Sequence, residues 1–222
     1  DGTADTTLGG YDNFKIGGLS AAEIVTTPLV LQVVHDETPG VNPGSDPNSA
    51  DDTSLPPPAE LVTALNGVSV IGYAVSIVAV SGLFSGAYGA DGPGNVSYQL
   101  TGINGGSLNG VDSGLTTLNG DHITFLVQGN VVFGVDATDP NNIIKVFALE
   151  IDPATGKLWV AQMAAIHDTL AGNTPAAYDH QVNITAGLLH VQATITDGDG
   201  DQASALSAIP VVVGFQDDGP TA

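Results

Sequence analysis

Cysteine is absent from this sequence of 222 residues. Its absence excludes a disulfide framework, thiolate metal sites and a cysteine nucleophile. Stability therefore has to come from packing of the chain and, we expect, from bound ions. Calcium suits an extracellular protein without disulfides, because its hard oxygen ligands need no redox control. The lack of cysteine is equally compatible with a cytoplasmic location.

Basic residues are nearly absent as well. The chain has no arginine and only three lysines, Lys15, Lys145 and Lys157, against 24 acidic residues, and its formal net charge is -21. Such a surface repels nucleic acid and anionic lipid, and it repels itself in the folded state. Bound cations would relieve this repulsion. The alternative is that the acidity only keeps a secreted protein soluble.

Long apolar runs and helical periodicity are also scarce. The longest apolar run, residues 68–84, is interrupted by Ser69, Gly72 and further small or polar residues. A transmembrane helix needs roughly 20 mostly apolar residues, so this run predicts buried strands and no membrane insertion. Helical turns are expected only near Ala21–Val25 and Pro58–Asn66.

The chain has instead short β-branched runs separated by Gly, Asn, Asp and Pro, which are typical of strands and turns. Two connections are typical of hairpin turns, Gln128–Asn130 and Asp152–Gly156. We therefore predict an all-β fold, an antiparallel β-sandwich-like module with long loops and at most one or two short helices. The predicted strands are Leu29–Val34, Val68–Val80, Val96–Ile103, His122–Val127, Val131–Val135, Ile143–Ile151, Leu158–Met163, Leu188–Thr196 and Ala203–Phe215.

Motifs for catalysis are missing. The five histidines are scattered, with no HExxH and no close pair for zinc, and no GxSxG elbow surrounds a serine. A carboxylate pair for glycoside hydrolysis stays open in so acidic a chain. Sugar-stacking aromatics are few, however, and Trp159, the only tryptophan, lies on a predicted strand where we expect it in the core. We predict that the protein is not an enzyme.

The stretch TITDGDGDQAS places Asp197, Asp199 and Asp201 at alternate positions between two predicted strands. In an extended loop their side chains project to one side at a spacing of about 6–7 Å, and three like charges so placed repel unless a cation lies among them. The pattern begins like an EF-hand loop, but Gln202 and Ala208 stand where that loop requires Gly and Glu. We predict a calcium loop of another type. The alternative is a solvated acidic turn.

Further acidic residues lie next to predicted strands and could add oxygen ligands for calcium, also at a junction with a neighbouring module. The alternative for each is a turn residue that ends a strand. The predicted metal ligands are Asp197, Asp199 and Asp201, with Asp36, Asp91, Asp217 and Asp218 as further candidates.

Seven stretches form an ordered series along most of the chain. They are VVHDET (33–38), IGYAVS (71–76), AYGADGPGNVSYQL (87–100), GVDSGL (110–115), LEIDPATGKLWVAQ (149–162), ATITDGDGDQASA (193–205) and FQDDGPTA (215–222). In this order they resemble the repeated domains of giant RTX adhesins that are exported by type I secretion. The resemblance implies an extracellular, β-rich, calcium-stabilised module of a long bacterial protein, with the final DDGP at the junction between one repeat and the next.

The resemblance also predicts the domain organisation. Residues 1–28 form an N-terminal linker or edge segment, and residues 29–222 form a calcium-stabilised β-sandwich adhesin domain. Within it, residues 37–58 are rich in proline without apolar periodicity and predict a long loop. The chain begins Asp1-Gly2-Thr3, without a signal peptide or an initiator Met, so we expect a piece of a longer protein.

The function implied is that of a non-catalytic, calcium-binding structural module of a bacterial surface adhesin, which spaces or scaffolds ligand-binding domains. The alternative is an adhesive module that itself binds a glycan or a peptide, and an enzyme acting on polysaccharide is a third hypothesis. Expected partners are neighbouring domains of the same long chain, with a host-surface or biofilm glycan or peptide contacted through an adjacent domain. We expect an extracellular monomer at the bacterial cell surface that binds no nucleic acid.

Overall fold

A computed structural model describes residues 23–38, 40, 52–88, 92–170, 174, 177 and 180–216. The regular structure of these residues consists of fourteen β-strands, one α-helix and two short 3-10 segments. The elements are β1 (Glu23–Thr26), β2 (Gln32–Asp36), α1 (Ala59–Leu65), β3 (Gly72–Ala79), β4 (Phe84–Ala87), β5 (Pro93–Thr101), β6 (Asp112–Thr116), β7 (His122–Gln128), β8 (Val131–Asp136), β9 (Ile144–Ile151), β10 (Lys157–Gln162), β11 (Gln181–Asn183), β12 (His190–Asp197), β13 (Gln202–Leu206) and β14 (Val212–Gln216).

The strands form four sheets. The largest has six strands in the order β3-β10-β9-β8-β7-β6, two have three strands in the orders β11-β14-β2 and β13-β12-β5, and β1 and β4 form a two-stranded ribbon. Every pair of strands is antiparallel except β2 and β14, which are parallel. The predicted all-β, sandwich-like fold is therefore confirmed, with one parallel pair that local patterns do not indicate.

Both predicted hairpin turns are present, because each contains a residue that suits a tight reversal. Gly129 has a φ of 62° between β7 and β8, and Gly156 has a φ of 67° between β9 and β10. In the second turn Asp152 Oδ1 accepts the N–H of Ala154 at 3.0 Å, which is the side-chain contact expected of an aspartate that opens a turn. The two turns set the register of the hairpins, with Gln128 opposite Val131 in the first and Ile151 opposite Leu158 in the second.

Helix content is as low as expected, but one of the two helical turns is wrong. The helix expected near Pro58–Asn66 is α1, which has seven residues and ends at Asn66 in the left-handed conformation. Near Ala21–Val25, the described residues belong to strand β1, whose Ile-Val-Thr run is β-branched and pairs with β4. No helix in the described ranges is long and apolar enough to cross a membrane.

One predicted strand divides into two. The run Ala203–Phe215 holds two strands, β13 and β14, rather than one. The long loop expected over residues 37–58 contains no strand or helix where it is described, and its described parts are held together by Gly40 and Asp52. The Gly40 N–H donates to Asp52 Oδ2 at 2.7 Å, and the Asp52 N–H donates to the Gly40 carbonyl at 3.2 Å.

The six-stranded sheet is buried on both faces, which explains why β8 and β9 have almost continuous apolar sequences. On one face, residues of β2, β5, β12 and β14 pack against it, around Phe125, Phe147 and Phe215. On the other face, Leu61 and Leu65 of α1 pack on residues that include Phe133 and Trp159. We call this second side the helix-covered face. Trp159 is only 4% exposed, so its predicted place in the core is confirmed.

A buried polar network joins β2 to β10, although these strands belong to different sheets. The ring of His35 has Nδ1 2.7 Å from Gln162 Oε1 and Nε2 3.2 Å from Asp52 Oδ1. Gln162 Nε2 donates to Glu37 Oε1 at 2.5 Å, and the same oxygen accepts the Ile166 N–H at 2.7 Å. Because buried polar groups are costly unless they are hydrogen-bonded, this network fixes where β2 crosses the larger sheet.

Replacement of Gln162 by leucine tests the network. The variant Gln162→Leu removes the amide contacts of His35 and Glu37, both buried, and we expect a loss of about 2–4 kcal/mol of unfolding free energy in chemical denaturation. The matched control is Gln192→Leu, since Gln192 is half-buried on β12 and its side chain makes no hydrogen bond among the described residues. Equal effects of the two substitutions would contradict the role of the network.

Candidate metal centre

The predicted calcium loop connects two paired strands. β12 ends at Asp197, β13 begins at Gln202, and Thr196 is the register partner of Gln202. Asp197 is buried, whereas Asp199 and Asp201 are exposed. The three carboxylates each offer one oxygen atom, and these atoms all lie within 4.8 Å of one another. The loop thus brings together the three residues that the sequence predicts as its ligands.

The loop is a turn rather than the extended segment expected from the alternation. The Asp197 N–H donates to the Asp201 carbonyl at 3.0 Å, and the Gly200 N–H donates to the Asp197 carbonyl at 3.3 Å. Gly200 has a φ of 102°, a conformation that residues other than glycine rarely adopt. The turn brings the carboxylates closer together than an extended chain does.

Asp197 organises the turn through its side chain. Its Oδ1 accepts the N–H of Gly200 at 3.2 Å and the N–H of Asp201 at 2.8 Å. Asp197 therefore holds the backbone of the loop, while Asp199 and Asp201 bring exposed carboxylates close to it.

Strand β5 supports the loop from the other side of β12. The Gly198 N–H donates to the Gly92 carbonyl at 3.0 Å, and an ideal Cβ on Gly94 would lie 2.5 Å from the Asp197 carbonyl oxygen. Only glycine fits at position 94 without displacing the loop. Sequence analysis missed this contact, although a glycine inside a strand is a recognised sign of close backbone approach.

Neither of the two described lysines, Lys145 and Lys157, forms an ion pair with the loop. Among the described residues, no lysine comes within 4 Å of a carboxylate oxygen, and the ion pairs there all involve histidine. The Nζ of Lys145 instead donates to the Ala64 carbonyl at 2.9 Å. The mutual repulsion of Asp197, Asp199 and Asp201 is thus not balanced by a protein cation in the described ranges. Clustered carboxylate oxygens of this kind are the ligands of hard divalent cations.

The other predicted ligands are not brought into this group. Asp36 lies at the end of β2, is buried, and accepts the N–H of Thr38 at 2.7 Å. Asp91, Asp217 and Asp218 lie outside the described residues. No other three side chains of His, Asp or Glu bring ligand atoms this close together in the described part of the chain. Asp36 and the three undescribed residues stay predictions.

The fold and the loop define an all-β protein with an acidic turn that could hold a metal ion. The chain belongs to the DUF5801 family, because the family model described as "Domain of unknown function (DUF5801)" matches residues 32–209. The match begins at the first residue of β2 and includes the whole acidic loop. No curated protein and no solved structure matches the chain.

Alanine substitutions can separate the two roles within the loop. In the presence of EDTA, Asp197→Ala should lower the free energy of unfolding by about 1–3 kcal/mol, because two backbone N–H groups lose a charged acceptor. Asp199→Ala, the control, should change it by less than about 0.5 kcal/mol, because the Asp199 side chain is exposed and makes no hydrogen bond among the described residues. Urea denaturation of both variants measures the difference. Similar losses would show that Asp197 does not organise the turn.

Proposed function

We propose that this chain is a non-catalytic, calcium-binding structural module of a bacterial surface adhesin. In this role it spaces or scaffolds ligand-binding domains of a long extracellular protein. The observation that carries the proposal is the convergence of Asp197, Asp199 and Asp201 within 4.8 Å at the end of a strand pair that belongs to the folded body. An ion bound there stabilises the fold and performs no chemistry.

Calcium is the ion that we propose for this turn. Calcium accepts six to eight oxygen ligands in flexible geometry, whereas magnesium demands near-ideal octahedral coordination. Carboxylates on a glycine-rich turn suit the more flexible ion, and backbone carbonyls or water would complete its coordination shell. The formal charge of -21 further favours the uptake of divalent cations.

Calcium binding of this kind couples folding to the extracellular environment. The acidic turn exists only in the folded chain, so an ion that binds it stabilises the folded state by mass action. At a free calcium concentration one hundred times the Kd, one site contributes about 2.7 kcal/mol. During type I export the chain passes unfolded from a compartment with little free calcium, and folding follows in the calcium-rich medium outside.

The adhesin part of the proposal rests on the resemblance in sequence. Six of the seven resembling stretches begin within residues 32–209, the span of the family match. The parallel pairing of β2 with β14 supports a site near the junction, because it places Asp36 directly opposite Gln216. Gln216 immediately precedes Asp217 and Asp218 in the sequence. In our proposal these acidic residues contribute to an ion at the boundary with the next module.

Thermal unfolding in calcium and in EDTA tests the proposal. We expect a clear rise of Tm in millimolar calcium, and a smaller rise in magnesium at the same concentration, because calcium binds the folded state more tightly. The double variant Asp199→Asn/Asp201→Asn should lose most of the calcium-dependent rise. Isothermal titration calorimetry should show the matching loss of affinity.

The control for charge is Asp121→Asn, which removes one negative charge outside the loop. The Asp121 side chain makes no hydrogen bond among the described residues, so this variant should keep the full response of Tm to calcium. An identical melting curve of the unmodified protein in calcium and in EDTA would refute calcium stabilisation.

A further inference from the structure

Glu150 is a fully buried acidic residue on β9, beneath helix α1. Its side chain is 0% exposed, and neither carboxyl oxygen has a hydrogen-bond partner among the described residues. Directly opposite on β10 lies Trp159, whose buried Nε1 also has no partner in the described ranges. An acceptor and a donor are thus left unpaired side by side, which is rare in folded proteins because each unpaired buried group is costly.

Helix α1 covers this pair and is held on the sheet by two buried leucines and a few hydrogen bonds. It has seven residues and buries Leu61 and Leu65 against the helix-covered face. Within the described ranges, two polar contacts tie its ends to the sheet: Lys145 Nζ donates to the Ala64 carbonyl at 2.9 Å, and Asn130 Nδ2 donates to Glu60 Oε1 at 3.1 Å. A helix this short has little stability of its own, so its position depends on these contacts.

The charges around Glu150 disfavour its ionised form. Burial, and after it the nearby carboxylates of Glu60 on α1 and Asp152 after β9, together raise the pKa of Glu150 to about 7, while the Leu61 amide opposes the shift without reaching hydrogen-bonding geometry. Neither Lys145 nor Lys157 pairs with Glu150, since Lys145 Nζ donates to the Ala64 carbonyl and the ion pairs among the described residues all involve histidine. The strands on either side of β9 carry Lys157 on β10, two residues before Trp159, and Asp136 at the end of β8. Tyr73 of β3 also packs at this face.

We propose that the protonation state of Glu150 controls whether α1 stays docked on the sheet, and we call this pH-dependent switch the latch. With the proton in place, the neutral carboxyl is tolerated under the helix and α1 stays docked. When the proton is lost, the buried carboxylate favours a state in which α1 has moved off the sheet and water reaches the Glu150 oxygens. The device acts on one helix and leaves the strands of the six-stranded sheet paired.

The direction of the pH effect follows from the two states. In the released state Glu150 meets water and titrates near its ordinary value of 4.5, whereas the docked state holds the pKa at about 7. Below about pH 4.5 Glu150 is protonated in both states, so docking of α1 is at its strongest and does not change with pH. Between the two values the docked state keeps a proton that the released state has lost, so docking weakens as the pH rises. Above about pH 7 both states are ionised and docking stays at its weakest.

Amide hydrogen exchange of the full chain, read as protection relative to the intrinsic exchange rate, tests the latch. Each unit of pKa difference between the two states changes the opening equilibrium tenfold. From pH 5 to pH 8, the protection of residues 59–65 should therefore fall about tenfold to a hundredfold more than that of β8 and β9. In Glu150→Gln, which has no titratable group, this additional fall should disappear.

Trp159 provides a second measurement that needs no variant at position 150. Because it is the only tryptophan and lies opposite Glu150, its fluorescence should titrate with a midpoint near pH 7. Glu60→Gln removes a repelling charge and should lower that midpoint, whereas the distant Asp121→Asn should leave it unchanged. Fluorescence that is constant from pH 5 to pH 8, or an equal loss of α1 protection in Glu150→Gln, would overturn the proposal. The measurements are made both in calcium and in EDTA, and the same result is expected in each.

Discussion

The amide of Gln162 is the contact on which the arrangement of the sheets depends. Its oxygen faces His35 and its nitrogen faces Glu37, so both groups are satisfied only when β2 lies against the end of β10. The position of β2 then sets that of β14, its parallel partner, and β14 sets that of β11. Apolar packing alone is not directional, whereas these hydrogen bonds permit only one arrangement of the two sheets.

The protein uses buried polar groups in two different ways. Around Gln162 every group finds a partner, and such satisfied networks rigidify a core and specify a unique structure. Around Glu150 and Trp159 the oxygens and the indole nitrogen find none in the described ranges. The first arrangement favours a single structure. In the second, opening of the local structure lets the unpaired groups form hydrogen bonds with water, which favours the open state. The two lie on the same large sheet, so rigid and adjustable regions are direct neighbours.

Local patterns in the sequence are sufficient for most of the strands. The hairpins around Gly129 and Gly156 are predicted correctly, because their turn residues and flanking apolar runs are contiguous. The strand β1 is mistaken for a helical turn, although its run Ile-Val-Thr is β-branched. The parallel pairing of β2 with β14 is not predicted, since its partners are about 180 residues apart along the chain and a pattern of period two carries no information on distant partners.

The candidate metal centre is likewise only partly predictable. The alternation of Asp197, Asp199 and Asp201 is visible in the sequence, but their convergence within 4.8 Å depends on the turn that the backbone makes between β12 and β13. The support from Gly94 depends on the pairing of β5 with β12, which is a long-range contact. Glu150 carries no sign of burial in the sequence, since a glutamate two residues before a turn is usually solvated. Its burial results from α1, which lies far upstream in the chain.

The parallel pair β2–β14 also determines how the protein responds to tension. Gln32 begins one strand and Gln216 ends the other, and five residue pairs connect them in register. A pull on the chain before β2 and after β14 drives the two strands past each other along their length. Because the strands are parallel, the load falls on all the hydrogen bonds between them at once and does not open them one after another. The sheet therefore resists stretching in shear, which is the stronger of the two geometries for a given number of hydrogen bonds.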